Sequence, residues 1–145
     1  IAARHQHYHD VAAVLPMLQQ AGVTIIAGTD AGFLNSFNFP GIGLHQELQL
    51  FVREGLTAAQ ALAAATRAGP AWFGTLDRYG AVEAGKAADL VLLDANPLQD
   101  IRATERINTV IVRGTVQDRG TLDAMLQQVR GQVQEWNAAA AKAAP

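Results

Sequence analysis

The residues of this chain best suited to chemistry are four histidines, a scatter of carboxylates and a lysine set beside glycine. Asp30 stands out by its setting, because Gly28-Thr29-Asp30-Ala31-Gly32 closes the apolar run Val23–Ala27. That run is β-branched and apolar on both faces, the pattern of a strand covered on both sides in a parallel sheet. In such sheets chemistry is done at the carboxyl ends of the strands. Gly28 and Gly32 allow a tight turn and close approach of a ligand, while Thr29 and Asp30 supply oxygen donors and acceptors. The plainer alternative is an Asx-turn or helix N-cap, with Asp30 accepting only backbone N–H groups.

Other candidates are weaker. His5-Gln6-His7-Tyr8-His9 would place three imidazoles on one side of a strand, and imidazole suits zinc; a surface segment is the competing reading. His45 follows an aromatic loop and opens a helix, a position from which it could contact a substrate. An exposed or helix-capping histidine is the plainer account. Glu47 and Glu54 read as solvated helix residues, and Asp89 and Asp94 as turn and ladder-edge residues.

These groups must be positioned by the elements around them. Residues 10–21 place Val11, Val14, Leu15 and Leu18 at helical spacing, with Pro16 either bending the helix or opening a new first turn. The loop 33–43 carries Phe33, Phe37 and Phe39, which either line a pocket or pack the loop onto its own domain. Leu44–Glu54 reads as an amphipathic helix stopped by Gly55. Ala58–Arg67 reads as a second, with Thr57 and Gln60 forming a capping box. Pro70–Gly74 begins a short helix. Strands are expected over 88–94 and 108–113, with a tight return through Gly114. Thr121–Trp136 is expected as a helix capped by Thr121, with a fraying Ala-rich tail.

The 145 residues suffice for a domain with a core, and 50% hydrophobic with 17% charged residues marks a globular chain. A net charge of −2 without a basic stripe gives no electrostatic support for nucleic-acid or membrane-surface partners. The absence of cysteine rules out disulfides and thiolate chemistry. It fits a reducing, cytoplasmic setting, with a periplasmic or secreted one left open. No apolar run approaches the roughly 20 residues that cross a bilayer. The first residue is Ile1 and not Met, so a longer parent is expected.

The order of segments resembles the carboxyl-terminal part of the amidohydrolase superfamily, in its imidazolonepropionase and Xaa-Pro dipeptidase branch. The matching stretches are Ala21–Gly32, His45-Gln-Glu-Leu48, Glu54–Thr66, Gly80-Ala-Val-Glu-Ala-Gly-Lys-Ala-Ala-Asp-Leu-Val-Leu-Leu-Asp94, Asn96–Ile101 and Val110–Gly114. The resemblance implies an α/β fold: residues 1–79 as the terminal portion of a (β/α)8 TIM barrel with strand eight at 23–27. Residues 80–118 would follow as strands of a small flanking β-sandwich, and 119–145 as a C-terminal helix and tail. Lys86 then falls on the sandwich lobe, with no chemistry.

It further implies a hydrolase of carbon–nitrogen bonds (amide, cyclic amide or dipeptide) or of ester bonds in a small molecule. Asp30 would be metal ligand and general base, and His45 a substrate contact. The metal would be divalent, zinc first, as one or two ions, with the remaining ligands outside this chain. The chain alone is then expected to be inactive, completed by the missing N-terminal part of the barrel or by a homo-oligomer. The alternative is a non-catalytic structural or interaction module that needs a partner chain.

Overall fold

A computed structural model describes residues 2–32 and 38–143 of the chain. Two helices open it, α1 (Ala2–Ala12) and α2 (Val14–Gln20), parted at Ala13. Pro16 explains the break: it has no N–H to give Ala12, and its ring crowds that carbonyl, so α1 ends there. The His5–His9 run therefore lies on a helix and not a strand, where side chains two residues apart diverge around the axis. His7 and His9 are exposed.

Helix α3 (Ile42–Arg53) and helix α4 (Ala58–Thr66) follow, then the short α5 (Ala68–Trp72). Gly55, at φ 110°, makes the turn between α3 and α4, a conformation open to glycine but strained for other residues. The Thr57 hydroxyl accepts from the Gln60 N–H at 3.2 Å, and the Gln60 side chain accepts from the Thr57 N–H at 2.8 Å. The expected capping box is formed. Leu48 of α3, Ala61 of α4 and Ile101 form the buried core, with Phe51, Val52, Ala58, Leu62 and Ala65 packed against it. Ala61 is completely buried, and its small side chain lets α3 and α4 approach closely. Ile101 comes from a 3-10 helix over Ile101–Glu105 that packs on α3 and has no counterpart among the sequence expectations.

The chain divides into two compact units, 1–87 with 94–106, and 88–93 with 107–145. The sequence grouping of 80–118 as one lobe differs from this division, because 94–106 carries the 3-10 helix that belongs with α3. Residues 80–87 also stay with the first unit: Lys86 donates to the Leu76 carbonyl, its ammonium lies 3.4 Å from the Glu83 carboxylate, and the Ala87 N–H bonds the Arg78 carbonyl at 2.9 Å.

The second unit is an antiparallel sheet in the order β1 (Leu90–Leu93), β2 (Ile107–Val112), β3 (Thr115–Gln117), with helix α6 (Arg119–Ala143) packed on β2 and β3. Arg113 and Gly114, at φ 50° and 80°, link the Val112–Thr115 pair. Positive φ at both central residues is the signature of a primed hairpin turn, whose twist matches that of the strands. The Asp89 carboxylate accepts the Arg113 N–H at 2.7 Å and holds that turn. Strands thus form where Leu, Ile and Val cluster, but the first begins only at Leu90. None of the described residues of this unit is fully buried.

The segment 23–27 is extended, and among the described residues no neighbouring strand forms a ladder with it. The architecture is an α/β arrangement of helices with one small antiparallel sheet, and no barrel closes among the described residues. The cap of α6 is Asp118 and not Thr121: the Asp118 carboxylate accepts the Thr121 N–H at 2.8 Å and its hydroxyl at 2.7 Å.

Two measurements check these local arguments. Thr57→Ala removes one side of the capping box and should cost about 1 kcal/mol in chemical denaturation. The Asp118 carboxyl is held below its ordinary value of 3.8, first by the backbone N–H of Thr121 and then by its hydroxyl. Its contribution to the start of α6 is therefore present above the ordinary value and lost as pH falls through the lowered one. Protection of the Thr121 and Leu122 amides, taken relative to the intrinsic exchange rate at each pH, should fall on acidification, and Asp118→Ala should show the lower protection already at neutral pH.

Candidate functional site

The segment after α2 reaches Asp30 through a series of backbone anchors within the first unit. The Val23 N–H closes onto the Leu18 carbonyl at 3.0 Å, so the chain leaves α2 directly into the extended run. The Ala27 N–H donates to the Ala64 carbonyl of α4 at 3.1 Å. The next amide, Gly28 N–H, donates to the Glu47 carboxylate of α3 at 3.0 Å. Two helices thus take two consecutive amides, in place of the ladder that a neighbouring strand would supply. Beyond them the Thr29 hydroxyl accepts the Ala31 N–H at 3.3 Å, and Asn38 donates its side-chain amide to the Thr29 carbonyl.

Asp30 sits between these anchors at φ 50°. Aspartate tolerates this left-handed region better than most side chains. Thr29, not Asp30, satisfies the backbone of the turn, so the Asx-turn alternative is not what forms. Among the described residues the Asp30 carboxylate has no hydrogen-bond or ion-pair partner, and Asp30 is exposed. Chemically it is a pair of carboxyl oxygens without a partner among the described residues, able to exchange a proton or bind a cation.

The metal expectation meets a plain test of the donor set. Among the described residues there is no group of three or more His, Cys, Asp or Glu side chains that could hold an ion. A catalytic zinc site takes three protein ligands, so one carboxylate does not make the site by itself. His7 and His9 on α1 do not join Asp30 in such a group.

His45 is half-buried in the first turns of α3, and its Nδ1 lies 3.1 Å from the Thr104 hydroxyl. Thr104 donates its own proton to the Ile101 carbonyl at 2.9 Å. With that proton committed, the contact assigns Nδ1–H as the donor to Thr104, and in the neutral tautomer this leaves Nε2 as the ring's acceptor. The contact ties α3 to the 3-10 helix, so His45 is neither the free surface residue nor the helix cap of the plainer reading.

Glu47 and Glu54 correct the sequence reading as solvated residues. The Glu47 carboxylate reaches across 19 residues of sequence to Gly28, and its second oxygen, Oε2, is buried without a hydrogen-bond partner among the described residues. A buried acceptor left unsatisfied costs about 1–3 kcal/mol. Glu54 is 14% exposed at its side chain and accepts from Arg53 Nε at 2.8 Å. Helical periodicity could place Glu47 on α3 but held no signal for a bond to a distant backbone amide. Of the aromatic loop, Phe33 and Phe37 lie outside the described residues, and Phe39 is 56% exposed.

The family model described as Amidohydrolase family matches residues 3–116. The chain belongs to the amidohydrolase family. It is 37% identical over 93 residues to an ochratoxinase of Aspergillus niger, a match covering 63% of this chain and 18% of that protein. The chain thus spans about a fifth of the length of the curated relatives it matches. A crystal structure of a Xaa-Pro dipeptidase with methionine bound in its active site aligns with TM-score 0.63 and 29% identity, over 74% of this chain and 25% of that one. Phenylurea hydrolase B aligns with TM-score 0.51 and 38% identity, over 55% of this chain and 17% of that one. Among the described residues of this amidohydrolase-family chain, no helix is long and apolar enough to cross a membrane.

The His45–Thr104 bond yields a prediction. Thr104 is 7% exposed, so Thr104→Val removes a buried acceptor and should destabilise the first unit by about 1–3 kcal/mol. The denaturation midpoint reads the loss, and His45→Ala in the Thr104→Val background should add little if the two act as one pair.

Proposed function

We propose that this chain carries one acidic residue of a metal-dependent hydrolase, Asp30, and the helices that hold it in place. The reaction class is hydrolysis of a carbon–nitrogen bond, amide, cyclic amide or dipeptide, or of an ester, in a small molecule. Membership of the family supports the hydrolase reading, and a dipeptidase and a phenylurea hydrolase among the matched structures favour amide-type bonds. The observation that supports Asp30 in this role is a carboxyl group with no partner among the described residues, at the end of a run anchored by two helices.

In this reading Asp30 is the general base. It accepts a proton from the attacking water and returns it to the leaving nitrogen or oxygen as the carbonyl adduct collapses. The family reading adds a divalent metal, zinc first, as one or two ions, with Asp30 among its ligands. The further ligands would lie outside the described residues, and the chain by itself would be inactive. The run 23–27 would take the place of the eighth strand of a (β/α)8 barrel. Val23 and Ile26 leave 46% and 43% of their surfaces open, apolar area that neighbouring strands would cover. The rest of the barrel would come from a longer parent chain or from a second copy. His45 Nε2 is the atom of that ring able to accept a hydrogen bond from a substrate.

Asp30→Ala in the longest form of the protein tests the assignment. Hydrolysis should fall at least about 10²-fold, the loss seen when a metal-site carboxylate is perturbed, and bound metal measured on the purified protein should fall with it. Unchanged activity and metal content in that variant would remove Asp30 from the site. A non-catalytic module would then be the better account.

A further inference from the structure

We infer that Glu47 is the positioning residue for Asp30, acting through the backbone of the turn that carries it. The inference rests on the reading of Asp30 given above and adds a residue to it. Three observations converge on Glu47. Its Oε1 accepts the Gly28 N–H at 3.0 Å, two residues before Asp30. The preceding amide, Ala27 N–H, is held separately by the Ala64 carbonyl at 3.1 Å, so α3 and α4 grip adjacent peptide units. Finally, Glu47 Oε2 is buried and has no hydrogen-bond partner among the described residues.

The third observation separates Glu47 from an ordinary surface acceptor. Most buried polar atoms in folded proteins are paired, so an exception asks for a reason. A buried carboxylate bound to one backbone amide lowers the stability of its own helix surroundings. In return its other oxygen accepts the Gly28 N–H at 3.0 Å, a bond of ordinary length that ties α3 to the start of the turn. The group that receives this bond, Gly28 N–H, has no neighbouring strand to satisfy it among the described residues. Its position decides where the next two residues point. Asp30, at φ 50°, lies in a narrow conformational region, where a small drift of the preceding peptide would swing its carboxylate away. Glu47 thus fixes the origin of the Asp30 turn, while the Thr29 hydroxyl bond to Ala31 N–H shapes its far side. A catalytic carboxylate displaced by about 1 Å loses much of its rate advantage, which is what such an anchor would prevent.

Glu47→Ala and Glu47→Gln separate this role from a merely structural one. Amide exchange followed by mass spectrometry on peptides spanning 23–32 and 58–66 reports the turn and α4 independently of any reaction. In Glu47→Ala, exchange over 27–32 should rise about 10-fold or more, with 58–66 unchanged. In the longest form of the protein, kcat should fall about 10- to 100-fold with KM moved less than about threefold, the range for residues that orient a reacting group from behind. Glu47→Gln keeps one acceptor oxygen and should recover most of both signals. Unchanged exchange over 27–32 in Glu47→Ala overturns the inference, whatever the activity does. Equal loss of protection across 58–66 also overturns it, since Glu47 would then be supporting the whole unit. Failure of the underlying reading looks different: Asp30→Ala would leave hydrolysis intact while Glu47→Ala still loosened the turn.

Discussion

An extended run without a strand beside it has to satisfy its backbone elsewhere, and much of this structure follows from how that is done. Val23–Gly28 bonds to helices at three points: Leu18 at its start, Ala64 and Glu47 at its end. Each is a side or end of a helix reaching out to a single amide, not a ladder shared along a strand. The run therefore has fixed ends and an open middle. Its fixed C-terminal end is where Asp30 sits, and a fixed end is what a carboxylate needs if it is to meet a reacting atom.

The helices that provide those anchors are themselves held by local chemistry. Gly55 turns the chain, the Thr57–Gln60 box starts α4, and the buried methyl of Ala61 lets α4 lie close to α3 beside Leu48 and Ile101. His45 and Thr104 then fasten α3 to the 3-10 helix. The core is small, and its members are spread over three elements, so each depends on the others to stay dry. Position at Asp30 is thus inherited from packing some distance along the chain, through Glu47 and Ala64.

The second unit works differently. Its hairpin is specified by two residues of positive φ and by Asp89, and its helix by a carboxylate at the first turn. These are short-range devices, effective without a deep core, and none of the described residues of this unit is fully buried. Within the first unit, Lys86 and the turns around Gly80 and Gly85 hold 80–87 against 76–78, which delays the first strand to Leu90.

Sequence by itself determined what depends on neighbours a few residues away. Thr57 and Gln60 announced a helix start, Pro16 a break, Gly114 a hairpin, and the ordered stretches from Gly22 to Gly114 the family. The cap of α6 was displaced by three residues because aspartate and threonine both cap, and only the geometry shows which one accepts. Tertiary structure alone decided whether Val23–Ala27 becomes a strand, since that requires a partner that periodicity cannot supply. It alone also turned Glu47 inward, because a bond to an amide 19 residues away leaves no trace in a pattern of helical repeats. Local propensity fixes elements; the pairing of distant polar groups is settled only when burial removes the water that would otherwise have satisfied them.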